Sequence, residues 1–200
     1  SYLYSYNEAG TDLILNLIDP MTLAGAIVGG ALPFLFSGML IEAVAKAARK
    51  MVDEVRRQFK EIPGILDGTA KPDYKTCIEI SSKGAIGEMK VPSLLAIIVP
   101  VACGFIFGAE FVGGLLIGST VCSIMLAIFT GNAGGAWDNA KKYVEEGNFG
   151  GKGSANHKAT VVGDTVGDPF KDTSGPSLNI LIKLMSMVSI VMAGLTGACM

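Results

Sequence analysis

The sequence predicts an all-α fold, a polytopic transmembrane helix bundle. Half of the 200 residues are hydrophobic and the mean hydropathy is +0.48, which is high for a water-soluble globule. Four apolar runs are each long enough to cross the hydrocarbon core of a bilayer, which is roughly 30 Å thick. Glycine supplies 26 residues whereas aromatic residues make up 8%, a balance that favours helices packed closely in lipid through small side chains.

The N-terminal half contains one predicted span followed by a long polar stretch. Residues 1–21 precede the span and are predicted to lie on the non-cytoplasmic side. Residues 22–60 are predicted to form a span that continues into water as a helix, because apolar residues recur there at three- and four-residue steps. Residues 61–90 are predicted to be a cytoplasmic loop, since Pro63 and Gly64 end the helical pattern.

The C-terminal half contains the other three predicted spans. Residues 91–131 form two uncharged runs separated by Glu110 alone, which predicts a transmembrane hairpin with a tight turn at that residue. Residues 132–173 are predicted to be a cytoplasmic loop that carries the chemistry. Residues 174–200 form the last span, which contains one charged side chain, Lys183.

The distribution of positive charge predicts which side of the membrane carries these loops. Ten of the sixteen Lys and Arg residues lie between residues 42 and 90, five lie between residues 132 and 173, and none precedes residue 22. Short cytoplasmic loops collect positive charge, so both polar stretches are expected in the cytoplasm. The host membrane is expected to be a cell inner membrane or the membrane of an acidic organelle.

Composition also limits partners and completeness. The formal net charge of −2 excludes nucleic acid as an expected partner, because polyanion-binding chains show a basic excess. The four cysteines lack CxxC spacing, so neither a disulfide framework nor a zinc site is predicted. The chain starts at Ser1 and stops within an apolar run, and it is therefore expected to be a fragment of a longer polypeptide.

The densest polar signal comes directly before the last span. Asp164, Asp168 and Asp172 are four residues apart, so on a helix their carboxylates would lie on one face and repel each other. Such a set is suited to Mg²⁺, which prefers oxygen ligands and keeps several waters. Pro169 allows two geometries: it would break a continuous helix, or it would start one at N1 with Asp168 as the N-cap.

Lysines stand among these acids, which indicates that the metal arrives with an anion. Lys171 lies beside Asp172, and Lys141 lies three residues after Asp138 at the polar end of another span. Mg²⁺ and Lys share the charge of phosphate oxygens in phosphoryl transfer. The pattern therefore favours a site for magnesium-bound phosphate over a calcium loop.

Lys183 is costly in the membrane. An ammonium group within a span costs about 3 kcal/mol on insertion scales unless it is paired or hydrated. Its position predicts either a structural ion pair or a gate for transported ions. No acid inside the other three spans can pair with it, so its partner is expected outside this chain.

Three long motifs resemble one family, the membrane-bound, ion-pumping inorganic pyrophosphatases. They are Glu54–Phe59 followed by Ile62-Pro63-Gly64, then 134–143, and then 163–184. The resemblance implies a homodimer whose subunits have about sixteen spans, of which this chain would be the C-terminal four. It also implies pyrophosphate as substrate, Mg²⁺ as cofactor, and K⁺ in those members that depend on it.

The resemblance further implies a division of labour among the candidate residues. It makes Asp138, Asp168 and Asp172 the magnesium ligands and places Lys141 and Lys171 against the phosphates. Asp172 would also activate the attacking water, as the catalytic residue.

The resemblance also assigns roles to Asp164 and Lys183, and two other functions are alternatives for the chain. By the same resemblance, Asp164 is a supporting acid and Lys183 belongs to the gate for the translocated H⁺ or Na⁺. The alternative is a secondary cation transporter or channel with a divalent-cation site, and a third reading is a non-catalytic membrane scaffold. The transporter gives no reason for Lys141 and Lys171 to stand beside carboxylates, and a scaffold predicts no buried carboxylate cluster. The remaining ligands of the family are expected upstream, so this chain alone should not hydrolyse pyrophosphate.

Overall fold

The structure, a computed structural model, describes residues 1–8, 10 and 12–196, and the elements in that part of the chain are helices. Four of these helices, one of them counted together with the helical stretch that leads into it, are long and apolar enough to cross a membrane. The prediction of an all-α, multi-pass membrane bundle is thus confirmed. The helices are α1 Tyr2–Glu8, α2 Pro20–Glu61, α3 Tyr74–Phe107, α4 Ala109–Glu145, α5 Ala155–Asp168 and α6 Gly175–Thr196.

Helix α2 begins where the sequence supplies a cap and ends where a Pro-Gly pair follows. Asp19 accepts hydrogen bonds from the N–H groups of Met21 and Thr22 at 2.9 and 3.0 Å, and Pro20 occupies the first helical position. The helix runs on past the apolar run to Glu61, as predicted. The 61–90 loop prediction was wrong in extent, since α3 already begins at Tyr74, capped by Asp73. The first half of α3, residues 74–90, contains charged residues, so the absence of charge that marks the spans does not predict it.

A hydrogen-bond network joins the end of α2 to the start of α3. Glu54 accepts two hydrogen bonds from the Arg57 guanidinium, at 2.9 and 2.7 Å, and one from the Gln58 amide at 2.8 Å. The Gln58 side chain also exchanges hydrogen bonds of 3.0 and 2.9 Å with the Asp73 backbone. Hydrogen bonds from Arg57, then from Gln58, lower the pKa of Glu54 to about 2. The Arg57 guanidinium, whose side chain is 43% exposed, is therefore paired with an acid of its own chain.

Replacing Arg57 by alanine is expected to loosen this turn. Glu54 is only 9% exposed, and a buried carboxylate that loses its cation is destabilising. In the full-length protein in detergent, Arg57→Ala should lower the unfolding midpoint by about 3 °C or more. Arg56→Ala is the matched control, because the Arg56 side chain is 77% exposed and lies 4.0 Å from Asp53. Equal midpoints for the two variants would contradict the prediction.

The hairpin between α3 and α4 turns at Gly108, two residues before the predicted position. Gly108 has φ 86° and ψ −177°, a conformation that only glycine adopts without strain. Glu110, the predicted turn residue, lies in the first turn of α4, where a carboxylate is favourable to the helix dipole. From α1, which lies in the segment before the first span, the Tyr2 hydroxyl donates to the Ala109 carbonyl at 2.9 Å.

The long helices alternate in direction and touch through glycines. Helices α2 and α4 run parallel, with Thr22 against Gly114 and Ala26 against Gly118 at backbone contact. Helix α3 runs opposite to α2, and α6 runs opposite to α4 with Gly175 near Thr130. The apolar core lies between them and is built from Leu32, Phe36, Leu40, Ala96, Phe111, Leu115, Leu178, Leu181 and Met185. All polar helix ends that carry the candidate site lie at one end of this bundle.

The segment 132–173 was predicted to be a loop, and the structure shows that it is mainly helical. Helix α4 continues to Glu145, and α5 begins at the Ser154 N-cap, whose hydroxyl accepts from the His157 N–H at 3.1 Å. Only the glycine-rich connection between them, with one 3₁₀ turn at Asn148–Gly150, is irregular. The acids and lysines of this stretch line a helical hairpin.

Pro169 neither breaks this helix nor starts it. Residues Pro169–Ser174 form a π-helical segment that joins α5 to α6 without interruption, and the Gly175 N–H donates to the Phe170 carbonyl five residues back. Asp168 has helical φ and ψ of −56° and −47°, so it is not an N-cap. Proline has no backbone N–H and cannot donate the usual helical hydrogen bond, and the wider π turn lets the helix continue past this missing bond. The Ser174 hydroxyl donates to Ser37 on α2 at 2.9 Å, which fixes this segment to the bundle.

Candidate active site

The candidate residues lie where the polar end of α4 packs against α5 and the π-helical segment. Glycines bring the two helices into backbone contact. A Cβ at Gly134 would lie 2.5 Å from the Gly167 carbonyl oxygen and 2.7 Å from the Lys171 Cβ. On the other side of the contact, a Cβ at Gly163 would overlap the Trp137 ring. This close approach allows charged side chains of one helix to reach those of the other.

Asp138 is the centre of the cluster. Its Oδ2 atom accepts hydrogen bonds from Lys142 at 2.9 Å and from Lys171 at 3.0 Å, and its Oδ1 atom lies 3.9 Å from the Lys141 ammonium. The hydrogen bonds from Lys142 and then Lys171 lower the pKa of Asp138 to about 2. The carboxylate is therefore ionised at any physiological pH and is surrounded by three cations.

Lys141 makes its closest contact with Asp164 on α5. The two side chains form a short ion pair, and the hydrogen bond to Asp164 raises the pKa of Lys141. Asp164 is 6% exposed, and its other carboxylate oxygen, Oδ1, is buried without a hydrogen-bond partner. Asp164 is buried against α4, whereas Asp168 and Asp172 are exposed.

Lys171 connects the acids on the exposed side. Its ammonium lies 3.0 Å from Asp138 and 3.9 Å from Asp172. The hydrogen bond to Asp138 raises the pKa of Lys171, and the charges of Asp172 and Asp168 add to this effect. Two of the predicted magnesium ligands, Asp138 and Asp172, therefore lie within 4 Å of the Lys171 ammonium, which is predicted to bind phosphate.

The donor chemistry of these residues fits magnesium, although the described residues do not gather a complete site. No three His, Cys, Asp or Glu side chains in the described part of the chain lie close enough together to hold a metal. Mg²⁺ is commonly held by one or two carboxylates together with waters and substrate phosphates. Asp138, Asp168 and Asp172 offer such hard oxygen donors, two of them exposed to an incoming ligand.

Sequence reasoning missed three side chains that belong to this region. Lys142 bonds Asp138, and Glu145 on α4 lies 3.0 Å from His157 on α5. The four-residue spacing of Asp138 and Lys142 was the available signal for the first. For the Glu145–His157 pair, the available signal was the seven-residue spacing of His157, Asp164 and Lys171, which places these three residues on one helical face.

Lys183 lies away from this cluster, on the membrane-spanning part of α6. It is exposed, on the opposite side of the helix from the buried residues Leu181 and Met185. Its ammonium therefore faces outward from the core of these four spans, in the direction from which another helix could approach. This placement agrees with a partner outside the chain and leaves the predicted gate role a proposal.

Comparison with known proteins now identifies the family. The model of the family described as inorganic H⁺ pyrophosphatase matches residues 1–192. The chain belongs to the inorganic H⁺ pyrophosphatase family. The resemblance predicted from its three long motifs is thus confirmed.

Members of the inorganic H⁺ pyrophosphatase family from distant organisms align with nearly the whole chain. A relative from Bacteroides thetaiotaomicron is 67% identical over 92% of it. The Thermotoga maritima relative, a K⁺-stimulated pyrophosphate-energized sodium pump, is 61% identical over 90%. A K⁺-insensitive pyrophosphate-energized proton pump of Methanosarcina mazei is 55% identical over 90%. The chain spans about a quarter of the length of these relatives, 25, 25 and 27% respectively.

Proposed function

We propose that this chain is part of a membrane pump that hydrolyses magnesium pyrophosphate to two phosphates and moves H⁺ or Na⁺ out of the cytoplasm. The observation that carries the proposal is the cluster of Asp138, Lys171 and Asp172 at the polar end of the spans. The names of the relatives, pyrophosphate-energized pumps for Na⁺ or H⁺, support the same reading. This chain is 61% identical to the sodium pump and 55% identical to the proton pump, so Na⁺ is the first ion to test.

The residues of the cluster have distinct roles in this proposal. Asp138, Asp168 and Asp172 would hold Mg²⁺, which would supply positive charge to neutralise phosphate oxygens. Lys141 and Lys171 bind the phosphates, because their ammonium groups are already placed beside the acids. Asp164 supports Lys141 from its buried position.

Hydrolysis proceeds by direct attack of water. The water oxygen forms a bond to one phosphorus atom as the bridging P–O bond breaks, and Asp172 accepts the proton that the water loses. Asp172 suits this role because its side chain is 64% exposed and lies 3.9 Å from Lys171, so it can meet a substrate held by that lysine. The two products are phosphate ions.

The wider assembly is proposed from the resemblance and the charge distribution. The pump is a homodimer in a lipid bilayer, its site faces the cytoplasm, and upstream parts of the polypeptide supply the remaining ligands. The Lys and Arg residues at the polar helix ends support the cytoplasmic side. K⁺ is a further cofactor to test, since the Thermotoga relative is K⁺-stimulated and the Methanosarcina relative is not.

The deciding experiment uses the full-length protein that contains this sequence, purified in lipid. Mg²⁺-dependent phosphate release from pyrophosphate is expected for the wild type, with ion uptake into vesicles. Asp172→Asn should lower the rate by about 10³-fold or more, because it removes the group that accepts the proton. No phosphate release by the wild type would favour the transporter alternative, and a variant within about tenfold of wild type would overturn the role of Asp172.

Lys183→Ala separates hydrolysis from transport in the same vesicles. If Lys183 belongs to the gate, ion uptake per phosphate released should fall by at least about fivefold, whereas the cluster on α4 and α5 stays intact. Lys158→Ala is the matched control, because Lys158 is exposed on α5 outside the membrane. An unchanged ratio of ion uptake to hydrolysis in Lys183→Ala would show that the gate assignment is wrong.

A further inference from the structure

Three side-chain pairs lead in regular order from α4 to α5 and to the π-helical segment that continues α5. The first is Asp138 with Lys171 and the second is Lys141 with Asp164. The third is Glu145 with His157, 3.0 Å apart. On α4 the paired residues are three and four positions apart. On the facing helix, His157, Asp164 and Lys171 are seven positions apart, so each set lies on one helical face. We call these three pairs the α4/α5 ladder.

The third pair differs from the others because it also holds the connection between the helices. The Gly153 N–H donates to the Nδ1 atom of His157 at 3.2 Å, so Nδ1 is the unprotonated ring nitrogen. The Nε2 atom therefore carries the hydrogen and donates it to Glu145. This hydrogen bond is the main cause of the lowered pKa of Glu145. One ring thus contacts α4, the connection and α5 together.

The connection needs such a contact. Gly153 has φ 90°, and Phe149, the only non-glycine residue with positive φ among those described, has φ 52°. Glycine-rich backbone of this kind has many alternative conformations and does not fix the register of the helices that it joins. The His157 side chain is only 14% exposed, so it is packed into the hairpin and not free on the surface.

We propose that His157 is a positioning residue that sets the register of α4 against α5 and so places Lys141 and Lys171 for phosphate. The inference rests on the proposed function, because it assigns a role at the same site. In the sequence His157 stands among glycine, serine and lysine residues. In the structure it lies in the first turn of α5, seven residues before Asp164, and closes the ladder at its outer end.

The test uses His157 variants of the full-length protein in lipid, with KM and kcat for magnesium pyrophosphate measured separately. His157→Ala should raise KM about tenfold and change kcat by less than about threefold, because the ladder mainly places the two substrate-binding lysines. His157→Gln keeps an N–H that can reach Glu145 and should recover most of the KM. Lys158→Ala, on the next residue, should match the wild type.

A double-mutant cycle with Glu145→Ala measures the pair itself. If the hydrogen bond acts through the ladder, the double variant should have the KM of the single variants, not the product of both increases. Additive effects, or an unchanged KM in His157→Ala, would overturn the inference. A Gln variant as impaired as the Ala variant would also overturn it, because packing alone would then explain the loss.

Hydrogen exchange keeps the two proposals distinguishable. His157→Ala should increase amide exchange in residues 147–154 and at the end of α4, and this readout does not require hydrolysis. A wild type without phosphate release would refute the proposed function, and exchange would then decide the positioning role by itself. Unchanged exchange in His157→Ala would refute that role even in an active pump.

Discussion

Asp138→Asn is expected to reduce Mg²⁺-dependent phosphate release by the full-length protein by about 10²- to 10³-fold, the scale of losing one fixed charged group in a site. Asparagine has nearly the same shape but removes the charge that orients Lys171 and Lys142 at 3.0 and 2.9 Å. It also removes a proposed magnesium ligand. Initial rates at saturating Mg²⁺ measure the effect, and Asn139→Ala, on the exposed neighbouring residue, is the control.

The pH dependence of this loss follows from the lowered pKa of Asp138, which is about 2. A carboxyl whose pKa is depressed in the folded state contributes stability above its unfolded pKa of about 4 and loses that contribution as the pH falls towards 2. Asp138 therefore does not titrate between pH 6 and 9. The ratio of wild-type to Asp138→Asn rates should be constant across that range. A ratio that falls with decreasing pH, or a variant within threefold of wild type, would contradict the prediction.

Gly134→Ala is expected to have the second large effect, through sterics and not through charge. A Cβ at this position would lie 2.5 Å from the Gly167 carbonyl oxygen, so α4 and α5 would have to separate. Overpacking of this kind costs about 1–3 kcal/mol, and separation by a fraction of an ångström displaces the Asp138–Lys171 and Lys141–Asp164 pairs. Phosphate release should fall at least about tenfold, since small displacements of positioned groups cost rate steeply.

The adjacent Gly135 provides the matched control, because a Cβ there would meet no atom within 4 Å. Gly135→Ala should equal or exceed the wild type in thermal stability, since alanine is the better helix former. Unfolding midpoints and the yield of monodisperse protein separate misfolding from lost catalysis in Gly134→Ala. Equal midpoints and equal rates for the two alanine variants would show that the close approach of the helices is not required.

The spans could be predicted from the sequence because lipid requires long runs without charge, and the runs from Thr22, Val91 and Pro176 satisfy that requirement plainly. The helical part of α3 before the membrane could not be predicted in this way. Residues 74–90 are charged and polar, and their helix is held from outside by Gln58. Such a contact between distant residues leaves no periodic signal in the segment itself.

The candidate site was predictable in its residue types but not in its pairing. Lysines among acids indicated phosphate, yet the closest contact of Lys141 is with Asp164, 23 residues away, and Asp138, three residues away, is the more distant partner. This choice depends on the close approach of α4 and α5 at Gly134, a fact of packing. The π-helical passage at Pro169 was likewise not predicted, because proline by itself indicates a break or a start of a helix.

The unbroken path from α5 through the π-helical segment into α6 has a mechanical consequence for the proposed pump. Asp172 and Lys183 stand on one continuous rod, eleven residues or roughly 16 Å apart at about 1.5 Å per residue. Helical hydrogen bonds resist compression, so the site cannot shift along this axis without carrying the charged residue in the membrane with it. In the proposed pump, a movement of Asp172 during hydrolysis would therefore be transmitted to Lys183 through one continuous helix.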